Sequence, residues 1–106
     1  MPGHAIVTST TDTNEAAQTL AEGIVEARLG ACAQITGPIT SVYRWEGTIR
    51  SEPEWRIEIK TPTDRVAALI RHLEAAHPYE IPEIVVTPIT DGAAPYLTWL
   101  TTETRA

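Results

Sequence analysis

The fold is decided by the stretch Glu54-Trp55-Arg56-Ile57-Glu58-Ile59-Lys60. Charged and apolar residues alternate through all seven of its positions. Successive side chains of a β-strand point to opposite faces, so this period of two predicts a strand with one buried face and one solvated face. The rest of the chain is therefore interpreted as elements arranged around this strand.

A helix is predicted on each side of this strand along the chain. After it, Thr61-Pro62-Thr63-Asp64 offers an N-cap, a proline at the first helical position and an acid in the first turn. Apolar residues at helical spacing follow it, which predicts a helix that ends at about Ala76. Before it, Asp12-Thr13-Asn14-Glu15 has the spacing of a capping box, with aspartate as the cap. The helix predicted there spans roughly Thr13 to Leu29, and Gly30 is its expected left-handed stop.

The remaining elements complete an α+β pattern. Strands are predicted at Ala5–Ser9, at Ala31–Trp45 with a bulge at Gly37-Pro38, and at Ile84–Thr87, and a short last helix at Pro95–Thr102. The order matches the ferredoxin-like βαββαβ plan, with an antiparallel sheet and one extra short C-terminal helix. A chain of 106 residues has the length of one domain, so residues 1–106 are assigned to a single domain.

The hairpin that contains the deciding strand is too long for its own domain. Residues 49–60 would measure about 40 Å at ~3.3 Å per residue if extended, whereas a domain of this size has a radius of gyration of about 13 Å. A projecting hairpin that carries Trp45, Ile49 and Trp55 exposes apolar surface and unpaired strand edges. We therefore expect oligomerisation, with an exposed functional arm as the alternative.

The composition limits the partners and the compartment. Fourteen acidic residues against eight basic ones give a net charge of −6, and the basic residues are scattered, which disfavours nucleic acid and membrane surfaces as partners. The sequence contains neither a membrane span nor a signal-peptide pattern, and its single cysteine cannot form an intrachain disulfide. It also lacks a nucleophile motif and a phosphate loop. We expect a cytoplasmic protein without enzymatic activity.

Segments along nearly the whole chain carry a resemblance to a known family. They are Leu29-Gly30-Ala31-Cys32-Ala33, Pro38-Ile39-Thr40-Ser41-Val42-Tyr43-Arg44-Trp45-Glu46-Gly47, Ile59-Lys60-Thr61, His77-Pro78-Tyr79-Glu80-Ile81-Pro82-Glu83-Ile84, and Gly92 followed by Tyr96-Leu97-Thr98-Trp99. In their order and spacing they resemble the CutA family of divalent-cation tolerance proteins. The resemblance implies a ferredoxin-like subunit, a tight homotrimer and a link to tolerance of copper and other divalent cations in bacteria. It implies no catalytic reaction.

Two positions depart from the family members that are discussed as copper binders. Those members carry a cysteine at the end of the first strand and two histidines before the Pro-Tyr pair. This chain has Ser9 at the first position and Ala76-His77 at the second. Serine and alanine cannot replace a thiolate and an imidazole as copper ligands. That ligand set is therefore not carried over to this chain.

If a divalent metal ion binds, His77 is the predicted principal ligand, assisted by Glu80 or Glu83, and zinc or Cu(II) is preferred to Cu(I). The alternatives are a histidine that stabilises the helix C-terminus and glutamates that solubilise the loop or pair with arginines. The thiol of Cys32 has two interpretations as well, a small core side chain or a group with a metal or redox role.

A second set of candidates suits a small ligand. It lies at strand ends, in the proline-fixed loop and on the last segment, where a trimer would form clefts between its subunits. The same aromatic residues could instead anchor the interface. The set is Tyr43, Trp45, Lys60, Tyr79 and Trp99, with Glu83 beside it. Three functions remain open: a cation-binding tolerance protein, a small-ligand sensor with intersubunit clefts, and a purely structural trimer.

Overall fold

Four antiparallel strands form one sheet, in which their order from edge to edge is Cys32–Trp45, Thr48–Pro62, His4–Thr11 and Val85–Ile89. The computed structural model describes residues 3–105, so the ends of the predicted domain, Met1, Pro2 and Ala106, lie outside the described residues. The elements are β1 (His4–Thr11), α1 (Asn14–Glu26), β2 (Cys32–Trp45), β3 (Thr48–Pro62), α2 (Val66–Ala76), β4 (Val85–Ile89) and α3 (Ala94–Thr102). The predicted α+β architecture, with its antiparallel sheet and short C-terminal helix, is confirmed. Between residues 3 and 105 no helix combines the length and apolarity needed to cross a bilayer.

One face of the sheet forms the core with α1 and α2. Ile57 and Ile59 of β3 are fully buried and cluster with Val7 of β1, Ile24 of α1 and Leu73 of α2. Burying one such side chain contributes about 1.5–3 kcal/mol. The neighbouring charged positions of β3 are at least partly exposed, so the alternation that predicted this strand is present in the structure.

Both ends of α1 differ from the prediction. The N-cap is Thr13 and not Asp12, because the Thr13 hydroxyl accepts a hydrogen bond from the Ala16 amide at 3.0 Å. The residue with positive φ after the helix is Arg28, at 58°, and not Gly30. Gly30 is needed for packing instead. A Cβ atom there would lie 2.4 Å from the Cγ2 atom of Ile59, so the chain can pass this close to β3 only with glycine.

The start of α2 was also predicted too early. β3 continues through Thr61 and Pro62, and a 3₁₀ turn over Thr63–Arg65 precedes the helix, which ends at Ala76 as predicted. The reason is strand pairing, since Pro62 lies opposite His4 of β1 and the Thr61 hydroxyl donates to the Leu29 carbonyl at 2.8 Å. Tertiary contacts therefore outweigh the local capping signal.

The β2–β3 hairpin extends well beyond β1. β1 covers β3 only from Trp55 to Pro62, so residues 39–54, called the arm below, form a two-stranded ribbon. Its tip is the turn Glu46-Gly47, in which both residues have positive φ. Val42 and Ile49 in the arm are 68% and 65% exposed. The longest dimension of the molecule is accordingly 44 Å. The overhang predicted from strand length is present.

Candidate functional site

A cleft of about 530 Å³ lies where the arm meets the end of β1 and the loop that follows α2. This volume falls in the range of small-molecule sites, about 300–1,000 Å³. Five carboxylates line it, against the single guanidinium of Arg50. We call it the acidic cleft, and its carboxylates are Asp12, Glu52, Glu54, Glu80 and Glu83.

Two of these carboxylates are held in place by tyrosines. The Tyr79 hydroxyl donates to Oε2 of Glu54 at 2.6 Å, and the Tyr43 hydroxyl donates to Glu52. Burial, together with the hydrogen bond to Glu54, raises the pKa of Tyr79. The hydrogen bond to Glu52 is the main cause that raises the pKa of Tyr43. Both phenols therefore stay protonated and orient a carboxylate within the cleft.

His77 is buried behind the cleft and uses both ring nitrogens. Nε2 lies 2.7 Å from the carbonyl oxygen of Thr10, and Nδ1 accepts from the Tyr79 amide at 3.0 Å. Because a carbonyl can only accept and an amide N–H can only donate, the ring proton is on Nε2. A metal ion could bind His77 only by replacing one of these hydrogen bonds. This geometry favours the role of a positioning residue for the loop that carries Tyr79.

The predicted metal ligands do not form a coordination shell. Glu80 and Glu83 line the cleft, and His77 is turned toward backbone groups. Across residues 3–105, no three histidine, cysteine, aspartate or glutamate side chains are arranged to hold one ion. Ser9 is fully buried opposite Ile57, and its hydroxyl has no hydrogen-bond partner in this part of the chain. The side chains therefore do not fit a thiolate or imidazole metal centre.

The structure places the candidates for a small-ligand site in two separate parts of the molecule. Tyr43, Trp45 and Tyr79 line the acidic cleft. Lys60 lies six positions along β3 from Glu54, the nearest cleft residue on that strand, about 20 Å at ~3.3 Å per residue. Trp99 lies in a separate groove between α1 and α3.

Around Lys60 the contacts form their own cluster. Its Nζ donates to Oε1 of Gln34 at 2.7 Å and lies 5.9 Å from the centroid of the Tyr96 ring. Trp99 stacks on Tyr96 with ring centroids 5.6 Å apart. Cys32 is half-buried opposite Lys60, and it contributes, after burial, to the raised pKa of Tyr96. Within one chain, these residues do not contribute to the acidic cleft.

Four charged cleft residues were missed by the sequence analysis, namely Asp12, Arg50, Glu52 and Glu54. A signal for three of them was present, because charged residues occupy every second position from Arg50 to Glu54 and so share one face of a strand. Their placement beside the loop after α2 depends on the arm extending past β1, which the alternation alone does not reveal.

The raised pKa of Tyr79 predicts a loss of stability at high pH. Its ordinary pKa is about 10, and the folded value is higher, so its contribution is fully present below about pH 10 and is lost as the pH rises through the folded value. Tyr79→Phe should lower the free energy of unfolding by about 1 kcal/mol at neutral pH. The deficit should shrink above about pH 10. The measurement is denaturant unfolding of the wild type and of Tyr79→Phe at a series of pH values. A difference in the free energy of unfolding that stays the same at every pH would contradict the assignment.

The comparisons with known proteins agree along the whole chain. The sequence profile of the CutA1 divalent ion tolerance protein family matches residues 5–103. A divalent-cation tolerance protein CutA of Thermus thermophilus is 41% identical over 95 residues, which are 90% of this chain and 92% of that protein. A chloroplastic CutA protein of Arabidopsis thaliana is also 41% identical, and this chain spans 55% of its length.

A solved structure gives the same result. The crystal structure of the divalent ion tolerance protein CutA1 from Ehrlichia chaffeensis superposes with a TM-score of 0.95. The two chains are 33% identical, and the match covers 100% of this chain and 99% of the other. The profile, the sequence relatives and the structure all match essentially the full α+β unit described above. The chain therefore belongs to the CutA1 divalent ion tolerance protein family.

Proposed function

We propose that the chain serves in divalent-cation tolerance as a homo-oligomer that binds cations in the acidic cleft. The observation that carries the proposal is the presence of five carboxylates and one guanidinium around one concave site. Between residues 3 and 105 one salt bridge is present, between Arg105 and Asp64, and neither residue lines the cleft. No cleft carboxylate in this part of the chain is therefore neutralised by an ion pair. Like charges in a cleft concentrate counter-ions there.

Oxygen ligands determine which ions such a cleft accepts. Carboxylates suit hard divalent ions, which are often held through one or two carboxylates and several waters. Glu80 and Glu83 are the proposed ligands, since Glu52 and Glu54 already accept hydrogen bonds from tyrosines. Zinc or Cu(II) with His77 as principal ligand is the less favoured version, because both ring nitrogens have partners. Binding should be weak, with a dissociation constant well above micromolar.

The proposed oligomer is the homotrimer implied by the family resemblance, built on ferredoxin-like subunits. Support comes from the arm, whose apolar side chains Val42 and Ile49 are exposed in a single chain. Val85 and Val86 of the edge strand β4 are exposed as well. Apolar area and open strand edges of this kind are normally covered by another chain.

Titration calorimetry with Mn²⁺ and Mg²⁺ tests the proposed cation site. Glu80→Gln combined with Glu83→Gln should weaken Mn²⁺ binding about tenfold, because two unit charges near the ion are removed. Glu103→Gln, which changes a carboxylate in the other groove, is the control and should leave binding unchanged. Equal affinity in the double variant and the wild type would remove the cleft from the proposal.

Light scattering tests the oligomer. The expected mass is three times the 11.6 kDa of one chain. Ile49→Glu should lower this mass without unfolding the subunit, because Ile49 is mostly exposed in the single chain. Arg71→Glu on the exposed side of α2 is the control that should retain the wild-type mass. A wild-type protein that remains a monomer at micromolar concentration would contradict the proposal.

A further inference from the structure

We infer that the acidic cleft binds an extended organic cation, a linear aliphatic polyamine, more tightly than an inorganic ion of the same charge. The inference deepens the proposed function, and it rests on that proposal only in taking the cleft as a site for cations. Three features of the cleft point to this ligand class: its aromatic walls, the spacing of its fixed carboxylates and a threonine hydroxyl at its inner end.

The walls of the cleft are aromatic as well as acidic. Tyr43, Trp45 and Tyr79 line it together with the carboxylates. Aromatic faces attract ammonium groups through their quadrupole and also pack against methylene chains. A hydrated metal ion gains little from such walls, and no three potential ligands in the described chain converge on a point. An alkylammonium chain makes use of both the rings and the carboxylates.

The fixed carboxylates lie in a row. Glu52 and Glu54 are two residues apart on β3, so they project from the same face about 7 Å apart at ~3.3 Å per residue. Each is oriented by a phenol, Tyr43 for Glu52 and Tyr79 for Glu54. Two anions at this spacing match a chain that carries positive charges separated by a few methylene groups. Arg50 is the next residue on the same face of β3, and its positive charge ends the row of carboxylates on the outer side.

A polar side chain at the inner end is independent of the carboxylates. Thr10 lines the cleft although it is only 5% exposed. Its register partner is Arg56, so its side chain projects from the same face of the sheet as Glu54. Its carbonyl accepts from His77, and its hydroxyl has no hydrogen bond to another residue of the described chain. This hydroxyl can accept a hydrogen bond from a terminal ammonium group.

The inference is tested by calorimetry on the whole protein in its native assembly. Spermidine is compared with hexaamminecobalt(III), which carries the same charge without an aliphatic chain, and with Mn²⁺. We expect spermidine to bind about tenfold more tightly than the cobalt complex, because only spermidine contacts the rings and Thr10. Trp45→Leu should weaken spermidine about fivefold, a larger loss than for Mn²⁺.

A second variant covers the case in which Trp45→Leu disturbs the assembly. Thr10→Val keeps the shape of the side chain and should weaken spermidine binding several-fold. Equal affinities for spermidine and the cobalt complex, with no effect of either variant, would overturn the inference while the cation site stands. Binding of spermidine without Mn²⁺ supports the inference and removes the metal ion from the proposed function. Binding of neither overturns both.

Discussion

The difference in length between two paired strands is the constraint on which the rest of the structure depends. β3 has 15 residues, whereas its neighbour β1 has 8. The part of β3 that pairs with β1 contributes its apolar face to the core. The part beyond β1 has only β2 beside it, so the two strands form the arm, a ribbon whose two edges are both unpaired among the described residues of the chain. The acidic cleft and the exposed apolar side chains of the arm both follow from this mismatch.

A short series of hydrogen bonds connects this arm to the domain. The Thr10 carbonyl at the end of β1 accepts from His77, and Nδ1 of His77 accepts from the Tyr79 amide. The Tyr79 hydroxyl then donates to Glu54 in the arm. The edge contact between the His77 and Tyr79 rings, with centroids 4.7 Å apart, supports the same path. His77 therefore fixes the geometry of the cleft without lining it, which explains how a histidine beside acidic residues can be structural.

The sequence predicted most of the fold because local patterns and packing agree there. The alternation from Glu54 to Lys60 predicts a buried apolar face, and Ile57 and Ile59 on that face are buried in the structure. Prediction failed where a distant contact decides, as at Gly30, which is required by the side chain of Ile59, and at Thr61 and Pro62, which pairing keeps in β3. Local capping signals contain no information about such contacts.

The same distinction applies to the site. Tyr43, Trp45, Tyr79, Glu80 and Glu83 were selected by residue type, and the structure brings them to one cleft. Lys60 and Trp99 were selected on the same grounds, yet they lie toward the other end of the sheet. Which of the candidates meet depends on how far the arm extends past β1 and on where the loop after α2 crosses it. The type of a residue gives no information about the length of the arm or about the position of that loop.

The central claim is that cations bind in the acidic cleft and not elsewhere on the subunit. The three tryptophans test it directly, because Trp45 lines the acidic cleft and Trp99 lines the groove between α1 and α3. Mn²⁺ is paramagnetic and broadens nuclear magnetic resonance signals close to it. The account predicts that substoichiometric Mn²⁺ broadens the indole N–H signal of Trp45 and leaves that of Trp99 sharp. Selective broadening of Trp99, or equal broadening of all three indole signals, would contradict it.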